Sequence, residues 1–298
     1  MCKSSEYLRL RAPGLRVRLT CALGLIFVSS VSLAGNSSSD LNIDSQSRNE
    51  NGGFFELGVV VEGGRFIRHR LDPDESDDIS LGVGLDFSAG YRYGPLFVEA
   101  TQSSFGGLNA GITIVENEHW ELDFLLATIS GNVTVESDEP PAPVTESERN
   151  KALVERDDLY IAAGARVTGY FDDNIVQLVL GSDWYEGSGV LGSLRAGRQW
   201  QLGNWNAQAI ASVGYQSSEF NDYQYGIDVD EQSERFPAYS PGNAWIPRVE
   251  FGLSVPLKEN WVYTSRIRYT QYPDSVADSP LVNRNEAFSL RTGIYYVF

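Results

Sequence analysis

Two histidines are the only imidazoles in this 298-residue chain, His69 in Arg68-His69-Arg70 and His119 in Glu118-His119-Trp120. A serine hydrolase acting on lipid needs a histidine base within hydrogen-bond reach of its serine, with both held by neighbouring strands. Neither histidine has a nucleophile at a telling spacing, and each reads as a solvated ring beside charged residues. Carboxylates are abundant, 40 Asp and Glu against 23 Lys and Arg, but no pair is set apart by spacing as an acid–base dyad. The run Asp72-Pro73-Asp74-Glu75-Ser76-Asp77-Asp78 carries enough charge for a divalent cation. It lacks the central glycine and closing glutamate of an EF-hand loop, so it reads as a solvated acidic loop. No catalytic residue, metal or cofactor is assigned, and an enzyme is not expected.

What must position these residues is read from the two ends of the chain. Lys3, Arg9, Arg11, Arg16 and Arg18 precede the apolar run 19–28, and Ser32 and Ala34 supply the small-x-small pattern of a processing site. Residues 1–34 therefore read as a secretory signal peptide, too short in its apolar part to span a bilayer as a helix. Both cysteines, Cys2 and Cys21, fall within it. Its removal takes five of the 23 basic and one of the 40 acidic residues, leaving 18 against 39 and a net charge near −21. Such an acidic chain lacks the clustered Lys and Arg of a nucleic-acid surface.

At the other end, Phe288, Leu290, Thr292, Ile294, Tyr296 and Phe298 alternate with Ser289, Arg291 and Gly293. Alternate side chains of a strand point to opposite faces, so one face suits lipid and the other water. In a membrane the terminal strand must also close the sheet, because hydrocarbon offers no partner to an unpaired backbone group. Phe288, Leu290, Ile294, Tyr296 and Phe298 are thus the expected barrel-closing signal.

The rest of the chain repeats this pattern. Residues 35–53 are polar and read as a flexible periplasmic tail. From 54 to 298 the expectation is an all-β, antiparallel transmembrane barrel of about 12 strands, near 54–67, 79–93, 95–104, 108–115, 119–130, 158–171, 174–185, 189–202, 205–217, 246–257, 261–272 and 286–298. Tight turns such as Gly94-Pro95, Asp172-Asp173-Asn174 and Gly203-Asn204 alternate with long acidic connections at 68–78, 131–157, 218–244 and 273–285. Outer-membrane barrels place short turns in the periplasm and long loops outside, and an even strand number puts both termini in the periplasm. Residues 223–229 leave room for one further strand pair. In the hairpin 249–269, Val249, Phe251, Leu253, Val255, Leu257, Trp261, Tyr263, Ile267 and Tyr269 share the lipid face. Glu250, Arg266 and Arg268, with Arg291, point into the lumen, where charged pairs serve packing.

Several short motifs, taken in order, resemble the MipA/OmpV family of outer-membrane proteins. They are Glu219-Phe220-Asn221-Asp222-Tyr223-Gln224-Tyr225-Gly226-Ile227, Phe236-Pro237-Ala238-Tyr239-Ser240-Pro241-Gly242-Asn243, Asp278-Ser279-Pro280-Leu281-Val282 and Gly293-Ile294-Tyr295-Tyr296-Val297-Phe298. Glu186-Gly187-Ser188-Gly189 and Asn204-Trp205 fit as well. Within them Tyr223, Tyr225, Gly226, Pro237, Tyr239, Gly242, Asp278, Ser279 and Pro280 carry the match. The first outer loop departs from the family, with Arg68-His69-Arg70-Leu71-Asp72-Pro73 where a Pro-x-Tyr-x-Gly-Ser element is usual. The resemblance implies a non-enzymatic barrel in contact with outer-membrane lipid. It further implies a scaffold joining a lytic transglycosylase, MltA, to a penicillin-binding protein; the alternative is a narrow pore for small solutes.

Overall fold

The structure is a computed structural model, and it describes residues 51–67, 79–100, 108–130, 160–183, 189–232 and 236–298. The signal peptide, almost all of the expected tail, His69 and the acidic loops 68–78 and 131–157 lie outside the described residues.

Twelve strands form one closed antiparallel barrel. They are β1 (Gly52–Arg65), β2 (Ser80–Tyr93), β3 (Leu96–Ala100), β4 (Leu108–Glu116), β5 (Trp120–Ser130), β6 (Tyr160–Phe171), β7 (Asn174–Asp183), β8 (Val190–Leu202), β9 (Trp205–Gln216), β10 (Ala244–Lys258), β11 (Trp261–Gln271) and β12 (Glu286–Val297). Among the described residues two helices interrupt the series, α1 (Ser218–Tyr225) before β10 and α2 (Asp274–Ala277) before β12. Each strand pairs with its neighbour in sequence, and β12 returns to β1 from Glu56↔Val297 to Arg65↔Phe288. That last ladder leaves the sheet with no free edge, as a membrane requires.

The alternation seen in the sequence becomes the inside and outside of the wall. On β12 Phe288 is 47% exposed and Ile294 44%, whereas Tyr295, facing inward, is 6% exposed. The predicted β10–β11 face holds, with Val249 opposite Tyr269, Phe251 opposite Ile267 and Val255 opposite Tyr263. Around the turn end stand Trp120, Phe171, Trp205, Trp261 and Phe298, all exposed. Aromatic rings of this kind sit at the headgroup level of a bilayer.

Two segments differ from the sequence expectation. The stretch 223–229 adds no strand pair: Ser218–Tyr225 is helical, and only an isolated bridge, Ile227↔Tyr239, follows it. The Ser217 hydroxyl caps this helix by accepting from the Phe220 N–H at 3.4 Å, with Glu219 in the first turn. Both features stabilise a helix start. Strand β4 also carries register shifts at Ala110/Gly111 and Thr113/Val115. Such bulges re-aim side chains next to specialised interiors, and Thr113 is one of the residues used inside.

The chain end fastens the closure. The Phe298 N–H donates to the Phe55 carbonyl at 3.0 Å, and its ring lies 5.3 Å from Phe55 and 4.8 Å from Tyr296. Deleting Phe298 is expected to lower the amount of folded, heat-modifiable barrel recovered from membranes; undiminished recovery would count against a closing role.

Candidate functional site: a tucked-in cap above an ion-paired lumen

The lumen is built from the inward residues of the strands, and among the described residues two groups of ion pairs stand on it. Glu250 on β10, 3% exposed, accepts from Arg268 Nε at 2.7 Å and lies 3.4 Å from Arg266 Nε. Arg291 on β12 reaches Asp86 at 2.8 Å and Glu62 at 3.7 Å. The Tyr295 hydroxyl donates to the same Asp86 oxygen at 2.6 Å. All four charges selected from the sequence therefore meet on one wall. Asp86, Glu62 and Tyr295 complete the set and were not selected, because their proximity depends on the β12–β1–β2 seam. Arg266 and Arg291 are direct cross-strand partners, an arrangement that is destabilising unless anions are supplied.

The second group was missed altogether. Arg166 on β6 pairs with Asp123 on β5 at 2.8 Å and with Glu99 on β3. Arg92 on β2 reaches Glu121 on β5 at 2.8 Å and Thr113 on β4 at 3.1 Å. Thr113 in turn donates to Asp123 at 2.7 Å. The Arg166 guanidinium also lies 5.0 Å from the Phe97 ring centroid, a cation–π distance. Glu121 and Asp123 are 3% and 1% exposed. Pairs joining β2 to β5 and β3 to β6 span three strand spacings of a curved wall, so they run through the interior rather than along it. The available signal was Glu121-Leu122-Asp123, two carboxylates on one strand face.

A buried guanidinium between two carboxylates cannot be removed cheaply. Arg166→Met leaves Glu99 and Asp123 without their cation, and the expected cost is about 3–5 kcal/mol. Denaturant unfolding of the purified barrel measures it, with Glu99→Gln in the same chain restoring part of the loss.

Above the lumen, the connections before β10 and β12 fold together. Ser279 Oγ donates to the Tyr225 carbonyl at 2.6 Å and accepts from the Leu281 N–H at 3.2 Å. The Tyr239 hydroxyl donates to the Ser275 carbonyl at 3.1 Å, and Asn221 Nδ2 to the Gly242 carbonyl at 2.7 Å. The Gly226 N–H donates to Asp222 O at 2.8 Å, ending α1, and the Asp278 N–H to Asp274 O at 2.9 Å, ending α2. Tyr223 lies on α1, Pro237 is exposed, and Pro280 stands between Ser279 and the buried Leu281. So the motif residues from two distant stretches come into one unit.

This unit is tucked into the mouth. Val276 and Val282 pack on Ala244 and Ile246, which share the inward face of Glu250, with Ile67, Tyr225 and Tyr272 around them. Phe220 packs on Ala162 and Leu191 of β6 and β8. Ile227, Phe236 and Leu281 form a further small core. Burial pushes the Tyr225 hydroxyl up, helped by the adjacent Tyr272, and it pushes Tyr272 and Tyr239 up as well. These three hydroxyls thus stay protonated. His119, the one described histidine, sits at the turn end with its ring 6.0 Å from Phe171.

Residues 74–298 match the model of a family described as MltA-interacting protein MipA. The chain belongs to this family. A putative outer membrane protein YiaT of Escherichia coli K12 is 31% identical over 112 residues, 37% of this chain and 46% of that protein. The MltA-interacting protein of the same strain is 32% identical over 87 residues, 29% and 35% of the two chains. The outer membrane protein OmpV of Vibrio cholerae is 27% identical over 97 residues, 33% and 38%. The chain thus spans under half the length of these curated relatives. Among solved structures, a Pseudomonas aeruginosa FadL homologue gives a TM-score of 0.38 at 8% identity, covering 82% of this chain and 90% of that one. As a MipA-family member with a closed twelve-strand barrel and outer-membrane relatives, the chain is an outer-membrane protein, and its cap lies at the end of the barrel opposite the tight turns.

Ser279→Ala removes the bond to the Tyr225 carbonyl while leaving the wall intact. It is expected to loosen the cap by about 1 kcal/mol, read as faster amide exchange in 218–243 and 273–285 with unchanged protection in the strands.

Proposed function

We propose that this MipA-family barrel is a non-enzymatic scaffold of the outer membrane. Its periplasmic end would bring a lytic transglycosylase of the MltA kind and a penicillin-binding protein together at the murein layer. The observation that carries the reading is the interior: ion pairs brace the lumenal faces of β2 to β6 and of β10 to β2, and the cap packs on the inward residues Ala162, Leu191, Ala244 and Ile246 at the mouth above them. A wall organised in this way favours a surface function over passage of solute. The name of the MltA-interacting relative supports the choice of partner, and the names of the relatives are not those of enzymes.

Glu118, Asp172, Asp173 and Glu259 are exposed on the periplasmic turns, with Lys258 beside them. A partner docking there would meet an acidic rim. The second reading, a narrow pore, draws on Arg266, Arg268 and Arg291, which would favour anions; their carboxylate partners weaken it.

Affinity purification from solubilised outer membranes tests the scaffold. A transglycosylase or a penicillin-binding protein should be recovered with the tagged barrel, and less of it after neutralising Glu118, Asp172, Asp173 and Glu259. Substitution of Asp228 and Asp230 on the outer connection should leave recovery unchanged. Recovery of neither enzyme by the unaltered barrel would contradict the proposal.

A further inference from the structure

Among the described residues the outward face of the wall holds one charged side chain inside a strand, Arg198 of β8; Arg65, Lys258 and Glu286, also exposed, stand at strand ends. Arg198 shares its face with the exposed Leu194, Trp200 and Leu202, whereas Ser193 and Arg195 are buried towards the lumen. Its guanidinium lies 5.7 Å from the Trp200 ring centroid, a cation–π distance. Among the described residues no carboxylate pairs with it, and Asp172 and Asp173 on the neighbouring turn make no ion pair with it. The arginines of the interior, by contrast, all of those in the two groups above, meet carboxylates.

The register gives the depth of this cation. Arg198 stands opposite Asn174, the first residue of β7, and the Gln199 N–H donates to the Asp173 carbonyl at 2.9 Å. The guanidinium is therefore level with the β6–β7 turn and with the aromatic rings of that end, where the headgroups of the adjacent leaflet lie. A cation facing hydrocarbon is unfavourable, and a long side chain turned towards the headgroups avoids that cost.

Beside Arg198 the wall is hollowed. Ala209 is its cross-strand partner, Ala207 is opposite Trp200, and Ala211 is opposite Ala196. On the other flank the same three alanines face Phe251, Leu253 and Val249 of β10. Asn206, Gln208 and Ile210 between them are buried towards the lumen, so the alanines lie on the outer surface. Ala207 to Ala211 thus floor a trough about 13 Å long, walled by larger side chains and closed towards the middle of the membrane by Val213 and Leu194. An acyl chain fits this shape, and the paired N–H donors of an arginine match phosphate oxygens. A headgroup with its own ammonium brings a competing cation to that phosphate; one without leaves the charge to Arg198.

We infer that the trough over Ala207, Ala209 and Ala211, with Arg198 on its flank, binds one anionic phospholipid, its acyl chain on the alanines and its phosphate on the guanidinium.

Native mass spectrometry of the full-length barrel released from maltoside detergent tests this, with phosphatidylglycerol and phosphatidylcholine of the same acyl chains added in turn. The unaltered protein should retain phosphatidylglycerol several-fold more than phosphatidylcholine, and Arg198→Gln should abolish the difference. Inorganic phosphate should leave the bound lipid in place. Equal retention of the two lipids by the unaltered protein, an undiminished difference in Arg198→Gln, or displacement by inorganic phosphate would each overturn the inference. Should Arg198→Gln fail to fold, Ala209→Leu, which fills the trough and keeps the cation, decides: loss of the retained phosphatidylglycerol supports the site, and full retention overturns it.

Discussion

An unpaired backbone N–H or C=O in hydrocarbon costs several kcal/mol, and the rest of this structure follows from avoiding that cost. Every strand must have two neighbours, so the last must find the first. Here it does so over the ladder from Glu56↔Val297 to Arg65↔Phe288. Closure also fixes what faces inward: with the side-chain period of two, each lipid-facing Leu or Phe commits its neighbour to the lumen. A one-residue slip at the seam would turn Arg291 and Tyr295 to lipid and Ile294 to the interior.

Closure then creates a second problem inside. The inward positions hold arginines and carboxylates that are largely withdrawn from water, and each needs a partner to offset its desolvation. The barrel answers with pairs that reach over intervening strands, Arg92 to Glu121 and Arg166 to Glu99, and with Asp86 serving both Arg291 and Tyr295. These contacts tie together strands that the backbone ladders do not join. The cap adds apolar packing on the inward residues Ala162, Leu191, Ala244 and Ile246, so that polar pairing below and hydrophobic burial above occupy one space.

The strands were legible because alternation is a local property: Val249 to Leu257 and Phe288 to Phe298 announce their faces without knowledge of their partners. The inward placement of Glu250, Arg266, Arg268 and Arg291 followed from the same parity. What parity cannot supply is who meets whom across the seam or the lumen. Asp86 and Glu62 reach Arg291 only through the register of β12 on β1 and β2, and Arg166 reaches Glu99 only through curvature. Helix α1 was missed for a related reason. Asn221 and Asp222 are weak helix formers, and Phe220 gains its burial from Ala162 and Leu191, far away in sequence. The motif residues stood out as a pattern, but the bonds from Ser279 to Tyr225 and from Tyr239 to Ser275 belong to the folded cap alone.

A barrel braced in this way fits the scaffold role proposed for it, played at its surface. The claim on which that rests is that the lumen does not conduct. Single-channel recording of the purified full-length barrel in planar bilayers measures it most directly. The account predicts no stable conductance steps in symmetric salt. Reproducible steps, above all anion-selective ones abolished by replacing Arg266 and Arg291, would contradict it.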